Sequence, residues 1–235
     1  HAGHYAARPD VQLVAGSDID PRKREMFSDD WSAMGVRTYG DYREMLDRER
    51  LDLVSVCAYA RDRLGMCRDA LDAGARGLWI EKALGCTLDE AQRIRDQVKE
   101  RGAAAVVDYP RRARAPFRAV RRLIDEQSMG RLQTVTCMMS GLLLHTGTHA
   151  FDVVRYWCGN VTRAWGRLEH PRGSGVSGKI VDQGATGIME TESGATVFLS
   201  GLSKNYYTFQ FDLVFSEGRI LLGNDIRKVF VPKPS

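Results

Sequence analysis

Two short stretches hold the residues best suited to chemistry. The first, Leu78-Trp79-Ile80-Glu81-Lys82-Ala83, is an apolar run that ends in a charged pair. The second, His145-Thr146-Gly147-Thr148-His149-Ala150-Phe151-Asp152, places two imidazoles and a carboxylate at the start of a helix. A lysine at the carboxyl end of a buried strand stands where open α/β sheets bind ligands, and its ammonium can stabilise negative charge growing on an oxygen. His149 and Asp152, three residues apart, share a helix face and can form a hydrogen-bonded proton path. Imidazole titrates near pH 6.5, and the positive end of a helix favours its neutral, proton-accepting form. The combination points to an enzyme that moves a proton on and off a hydroxyl group.

The elements that must position these residues follow from local patterns. Val11 to Ser17 reads as a buried strand, then Asp18 and a helix led by Pro21. Asp41 with Glu44, and Thr87 with Glu90, have capping-box spacing and open helices over Tyr42–Arg48 and from Thr87 to Gly102. Leu53–Cys57, Gly77–Ile80 and Ala103–Val107 read as strands, and Arg63–Ala73 as a helix stopped by Gly74. Strands alternating with helices imply a parallel sheet with right-handed crossovers, so residues 1–108 read as a doubly wound α/β domain. Beyond Asp108 the pattern changes to α+β. A helix over Pro116–Gln127 and a strand over Leu132–Met138 precede a helix that Thr148 caps and Gly159 ends. On that helix Phe151, Val154 and Cys158 can face a core, while His149, Asp152 and Tyr156 share another face. From Val161 onward strands joined by hairpins are expected, with turns at Glu192–Ala195 and Ser216–Arg219 and a one-sided alternation over Thr208–Phe215. Residues 109–235 thus read as a second domain with an open, mostly antiparallel sheet, and Gly173–Lys179 as a mobile loop.

The composition narrows the function classes. The chain has 235 residues, 43% hydrophobic and 27% charged, as expected of a globular protein with real cores. Its net charge of +4 is spread out except at Arg111, Arg112, Arg114, Arg118, Arg121 and Arg122, which read as a solvated helix face rather than a nucleic-acid patch. No run of eighteen apolar residues suggests a membrane span, and no signal peptide is visible. Five cysteines without a C-x-x-C pair suggest reduced, buried thiols and a cytoplasmic location.

Asp52-Leu53-Val54-Ser55-Val56, then Ala70-Leu71-Asp72-Ala73-Gly74, then Glu81-Lys82, resembles the glucose–fructose oxidoreductase/inositol dehydrogenase (Gfo/Idh/MocA) family. Gly147-x-His149-x-x-Asp152 with Arg155 and Trp157 resembles that family's catalytic helix. The resemblance implies an NAD(P)-dependent oxidoreductase with a Rossmann domain and a C-terminal open-sheet domain, acting on a secondary alcohol of a sugar, polyol or related cyclic compound. In its terms Lys82 bonds the hydroxyl, His149 is the general base, and Asp152 orients histidine or substrate. Cys57, Ala58, Tyr59, Glu81 and Lys82 lie at the nicotinamide end of the cofactor, and Arg112 and His145 line the substrate cleft. Asp18, ending the second Rossmann strand, can accept both ribose hydroxyls of NAD and would repel a 2′-phosphate; it can also be an ordinary loop residue or helix cap. Arg22 and Lys23 keep NADP possible. The first strand and the glycine-rich phosphate turn of such a domain are expected ahead of His1. The apolar alternation of the C-terminal sheet suggests a homo-oligomer, dimer or tetramer.

Departures from the family pattern matter as much as matches. Ala83 replaces the proline of Glu-Lys-Pro, which disfavours a cis peptide there and leaves the aim of Lys82 open to change. His145 stands where an aspartate often assists the histidine, Arg63 where many members have histidine, and Ala58-Tyr59 where Thr-Pro is common. The connection from Met139 to His145 is shorter than in the family. A dinucleotide-binding sensor without turnover is therefore a rival reading. So is a metal hydrolase using His145, His149 and Asp152, though Gly147 and a Thr148 cap argue against a continuous helical face and against any metal.

Overall fold

The structure, a computed structural model, describes residues 1–169, 182–204, 206, 208–224 and 226–231. The expected loop Gly173–Lys179 lies outside the described residues. The chain divides into two compact units, His1–Asp108 and Tyr109–Ser235.

The first unit alternates helices and strands. In order they are α1 (Ala2–Ala6), β1 (Ala15–Ser17), α2 (Pro21–Asp30), β2 (Arg37–Tyr39), α3 (Tyr42–Arg48), β3 (Leu53–Val56), α4 (Ala60–Asp72), β4 (Gly77–Ile80), α5 (Leu88–Glu100) and β5 (Ala104–Val107). Every strand pairing is parallel. β1 and β2 form one sheet, and β3-β4-β5 another, with Val54 opposite Leu78 and Ile80 opposite Val107. The strand expected from Val11 begins only at Ala15, and β2 was not foreseen: its three residues show no alternation long enough to read. The Thr87 hydroxyl accepts the Glu90 N–H, and the Glu90 carboxylate accepts the Cys86 N–H at 2.7 Å, one residue before the capping-box partner. Asp41 caps α3 through the Arg43 N–H. α4 begins at Ala60, three residues earlier than expected, and ends before Gly74, whose φ of +96° suits a residue without a Cβ. Val54, Val56, Leu78 and Ile80 pack with Cys67, Ala70, Leu71 and Ile94 of α4 and α5.

The second unit contains α6 (Ala115–Asp125), β6 (Leu132–Ser140), α7 (Thr148–Cys158), β7 (Val161–Leu168), β8 (Ala185–Thr191), β9 (Thr196–Leu202), β10 (Phe209–Phe215), β11 (Arg219–Gly223) and β12 (Arg227–Phe230). The sheet order is β12-β11-β10-β6-β9-β8-β7, antiparallel throughout except for the parallel β6–β9 pair. β8–β9 and β10–β11 are the two foreseen hairpins. Strict alternation along β10 buries Phe209, Phe211, Leu213 and Phe215, which join Val135, Cys137 and Met139 of β6. Phe117 and Val120 of α6 and Val153, Val154 and Trp157 of α7 complete this core. Trp157 lies stacked on Phe117 and edge-on to Phe211, and its indole N–H donates to the Phe117 carbonyl at 3.1 Å. A buried indole with its donor satisfied contributes area without an unpaired polar group.

Two expectations about side chains change. Cys67, Cys137 and Cys158 are buried, but Cys57 is exposed and Cys86 intermediate. The arginine cluster is only partly a solvated face. Arg111 stacks on Phe209 at 3.6 Å, Arg112 binds Asp152, and Arg121 donates to the Tyr156 and Trp157 carbonyls at 3.0 Å. These last two bonds satisfy carbonyls near the end of α7, where the helix itself cannot.

Candidate active site

Lys82 follows β4 by two residues. The Glu81 N–H extends the ladder to the Val56 carbonyl at 3.1 Å, and the Lys82 N–H is accepted by the Glu81 carboxylate at 3.1 Å. The Lys82–Ala83 peptide bond is cis even with alanine following, which corrects the expectation drawn from Ala83. The neighbouring loop holds Cys57, Ala58 and Tyr59 directly after β3. Tyr59 is exposed, with the Arg61 guanidinium 5.4 Å over its ring, and the Ala58 carbonyl accepts from Arg63 Nε at 2.9 Å. Glu81 has a further neighbour that sequence patterns did not reveal. His1 stacks on Trp79 at 4.0 Å and brings its Nε2 to 3.2 Å from Asp108 and 3.6 Å from Glu81. Among the described residues His1, Glu81 and Asp108 are the group whose ligand-type atoms converge. Asp108 directly follows β5 as Glu81 directly follows β4, and that shared position is the signal that could have found it.

Asp18 follows β1 directly. Its Oδ1 accepts the Asp20 N–H at 2.9 Å, and Lys23 Nζ stands 3.7 Å from Oδ2. The cap of α2 is Asp20, which accepts the Arg22 N–H at 3.0 Å. The Asp18 carboxylate is partly exposed beside these two partners. Ile19 beside it is 90% exposed, an apolar surface next to a carboxylate.

In the second unit β6 runs into α7 through a tight connection. Gly141 turns at φ +118°, where a Cβ would come within 2.5 Å of the Thr146 hydroxyl. A single π-helical turn, Leu143–Gly147, then continues directly into α7. Thr148 is consequently the first residue of α7 and not its cap. Its hydroxyl bonds the Tyr109 hydroxyl at 2.7 Å. The orphan N–H groups of this start are met from far away in the sequence: the buried Asp182 carboxylate accepts from Leu144 and His145, both at 2.9 Å, and the Gln183 carbonyl accepts from Leu143 at 2.9 Å. A carboxylate at this end also opposes the helix dipole favourably. The break expected at Gly147 and Thr148 is absent, so that objection to a metal does not hold. Even so, His145, His149 and Asp152 do not form a converging set among the described residues.

His149 occupies the first turn of α7, with the Tyr109 ring edge-on at 6.1 Å. His145 is exposed in the π-turn. Asp152 is buried, and both of its oxygens are taken by Arg112, Nε reaching Oδ2 at 2.8 Å and Nη2 reaching Oδ1. The carboxylate raises the Arg112 pKa above its ordinary value. Arg112, half-exposed and 5.4 Å over the Tyr156 ring, is thereby fixed in one orientation. Tyr109 and Asp182 are the residues that sequence reasoning missed here. Neither belongs to a local motif.

Comparison with known proteins places this architecture. Residues 1–109 match the model of an oxidoreductase family with an NAD-binding Rossmann fold, GFO/IDH/MocA, and residues 138–221 match that family's C-terminal domain. The chain belongs to the GFO/IDH/MocA family. One relative, 1-carboxy-3-chloro-3,4-dihydroxycyclohexa-1,5-diene dehydrogenase of Comamonas testosteroni, is 24% identical over 164 residues, covering 62% of this chain and 41% of its own. Another, scyllo-inositol 2-dehydrogenase (NAD(+)) of Bacillus subtilis (strain 168), is 25% identical over 252 residues, covering 94% of this chain and 70% of its own. The chain thus spans about two fifths of the first relative's length. The WlbA dehydrogenase of Bordetella pertussis, solved with NADH and UDP-GlcNAcA, shares the fold with a TM-score of 0.84 at 17% identity, over 100% of this chain and 74% of that one. Among the described residues no helix is long and apolar enough to cross a membrane.

Proposed function

We propose that this GFO/IDH/MocA member is an NAD-dependent dehydrogenase or reductase of a secondary alcohol on a hydroxylated ring, a sugar, polyol or related cyclic compound. What supports this reading is membership of this family together with Lys82 after β4 and His149 in the first turn of α7, each placed within its own unit. When bound, NAD accepts or returns the hydride. Lys82 supplies the ammonium that stabilises the substrate oxygen as its proton leaves. His149 takes that proton in oxidation and returns it in reduction. Arg112 offers the substrate a guanidinium held in place by Asp152, which acts as a positioning residue through that bond. Cys57, Ala58, Tyr59 and Glu81 border the nicotinamide end, and His145 the substrate end. The two curated relatives are named for dehydrogenation of hydroxylated six-membered rings, which supports this substrate class.

The open carboxylate of Asp18 favours NAD over NADP, because a 2′-phosphate would face a negative charge; Lys23 only partly offsets it. Titration of the full-length protein with NADH and NADPH, followed by nicotinamide fluorescence, tests this. NADH is expected to bind at least about tenfold more tightly, equal to about 1.4 kcal/mol. Binding of neither would overturn the dehydrogenase reading, and preference for NADPH would overturn the Asp18 assignment.

A second copy of the chain is the proposed partner. Trp165, Ile188 and Phe198 lie directly opposite one another across β7, β8 and β9, and all three are exposed. A contiguous apolar stripe on one sheet face supports a self-complementary contact. Light scattering should show an oligomer that Ile188→Glu dissociates.

A further inference from the structure

α4 buries one face, made by Arg63, Cys67, Ala70 and Leu71 at helical spacing. Three of these are apolar. The fourth is an arginine only 5% exposed, and a buried guanidinium is costly unless its N–H groups are bonded. Nε donates to the Ala58 carbonyl at 2.9 Å, and Nη1 donates to the Ala83 carbonyl. Ala58 lies two residues after β3. Ala83 follows Lys82 directly. One rigid fork therefore joins the loop after β3 to the loop that carries the lysine, with the Glu81 carboxylate as the main charge favouring its cationic form against desolvation.

We propose that Arg63 is a positioning residue that fixes the backbone of Lys82 relative to the Cys57-Ala58-Tyr59 loop. This rests on the reading of Lys82 and of that loop given above. The planar guanidinium suits the task because its donors are set at a fixed spread, so the two carbonyls cannot drift apart without losing a bond. A lysine at position 63 could reach one carbonyl at a time. A role limited to holding α4 in the core would leave Lys82 itself unaffected.

The test compares wild type, Arg63→Met and Arg63→Lys in the full-length protein without needing a substrate. Each is acetylated briefly with sulfo-N-hydroxysuccinimide acetate, and the labelling rates of Lys82, Lys23 and Lys99 are read by peptide mass spectrometry, alongside melting temperature and NADH affinity. Arg63→Met is expected to label Lys82 at least about threefold faster, with Lys23 and Lys99 unchanged, and to weaken NADH binding; Arg63→Lys falls between. Folded Arg63→Met with an unchanged Lys82 rate would overturn the proposal. If Arg63→Met does not fold, Arg63→Lys decides by the same comparison, and wild-type behaviour at Lys82 overturns it. Failure of wild type to bind NADH would sink the functional reading and leave the labelling result intact.

Discussion

The two units place their chemistry by different means. In the first, Lys82 comes two residues after β4, the Thr87 cap of α5 lies five residues on, and the buried Arg63 that bonds the next carbonyl, Ala83, is twenty residues away. In the second, the start of α7 depends on Asp182, thirty-seven and thirty-eight residues from the amides it accepts, and Asp152 on Arg112, forty residues away. The bonds that hold the Lys82 loop come from the preceding β3 and α4, nearer in sequence than Asp182 is to α7. A site residue set by long-range polar bonds carries buried groups that are costly to leave unpaired.

Arg112→Met should break the second arrangement most. It leaves a 9% exposed carboxylate without its partner. A loss of about 2–3 kcal/mol in chemical denaturation is expected, less than for a fully buried pair because Arg112 is half-exposed. The double change Arg112→Met/Asp152→Leu should recover most of it; equal losses in single and double variants would show that the orphaned charge is not the cause. Asp182→Ala is expected to cost about 2 kcal/mol and to speed hydrogen exchange at the Leu144 and His145 amides, with no change in α5. Unchanged exchange there would contradict the distant cap.

A pH experiment reads the buried thiols of both cores, since burial also pushes Cys67 of the first core and Cys158 of the second up to about 11. Burial pushes the Cys137 thiol up to about 12, from an ordinary value of 9.0. The folded state therefore holds the proton while the unfolded chain releases it. The contribution is fully present below pH 9 and lost as pH rises from about 9 to 12, at about 1.4 kcal/mol per pH unit. Cys137→Ala should lower overall stability yet flatten this alkaline slope by one proton's worth; an unchanged slope would show that the thiol is not protected. The smallest effect belongs to the local regime. Thr87→Ala should cost about 1 kcal/mol, with faster exchange confined to the first turn of α5. Changes reaching β3 or β4 would show that the first unit is not as locally determined as its caps indicate.

The same contrast explains what could be read in the sequence. β3, β4, β5, the Thr87 cap and the alternation of β10 rest on residues within one element, and they were legible. β2 was not, because Arg37, Thr38 and Tyr39 are too few to show a period. Thr148 has the residue type of a cap but heads a chain already helical, since the π-turn before it is completed by Asp182. Neither Tyr109 nor Asp182 stands in a motif, so only the folded chain reveals what they touch. The places of Lys82 after β4 and of His149 in the first turn of α7 were legible because each depends on one element; the Arg112 clamp on Asp152 was not, because forty residues separate the two.

The most direct test of the central claim follows NAD reduction at 340 nm in the full-length protein, with scyllo-inositol and a panel of hydroxylated six-membered rings. The account predicts turnover on at least one of them that falls by about 100-fold or more in both His149→Ala and Lys82→Ala, while NADH binding persists in the His149 variant. NADH binding without turnover on any such ring, or rates that survive either substitution, would contradict it.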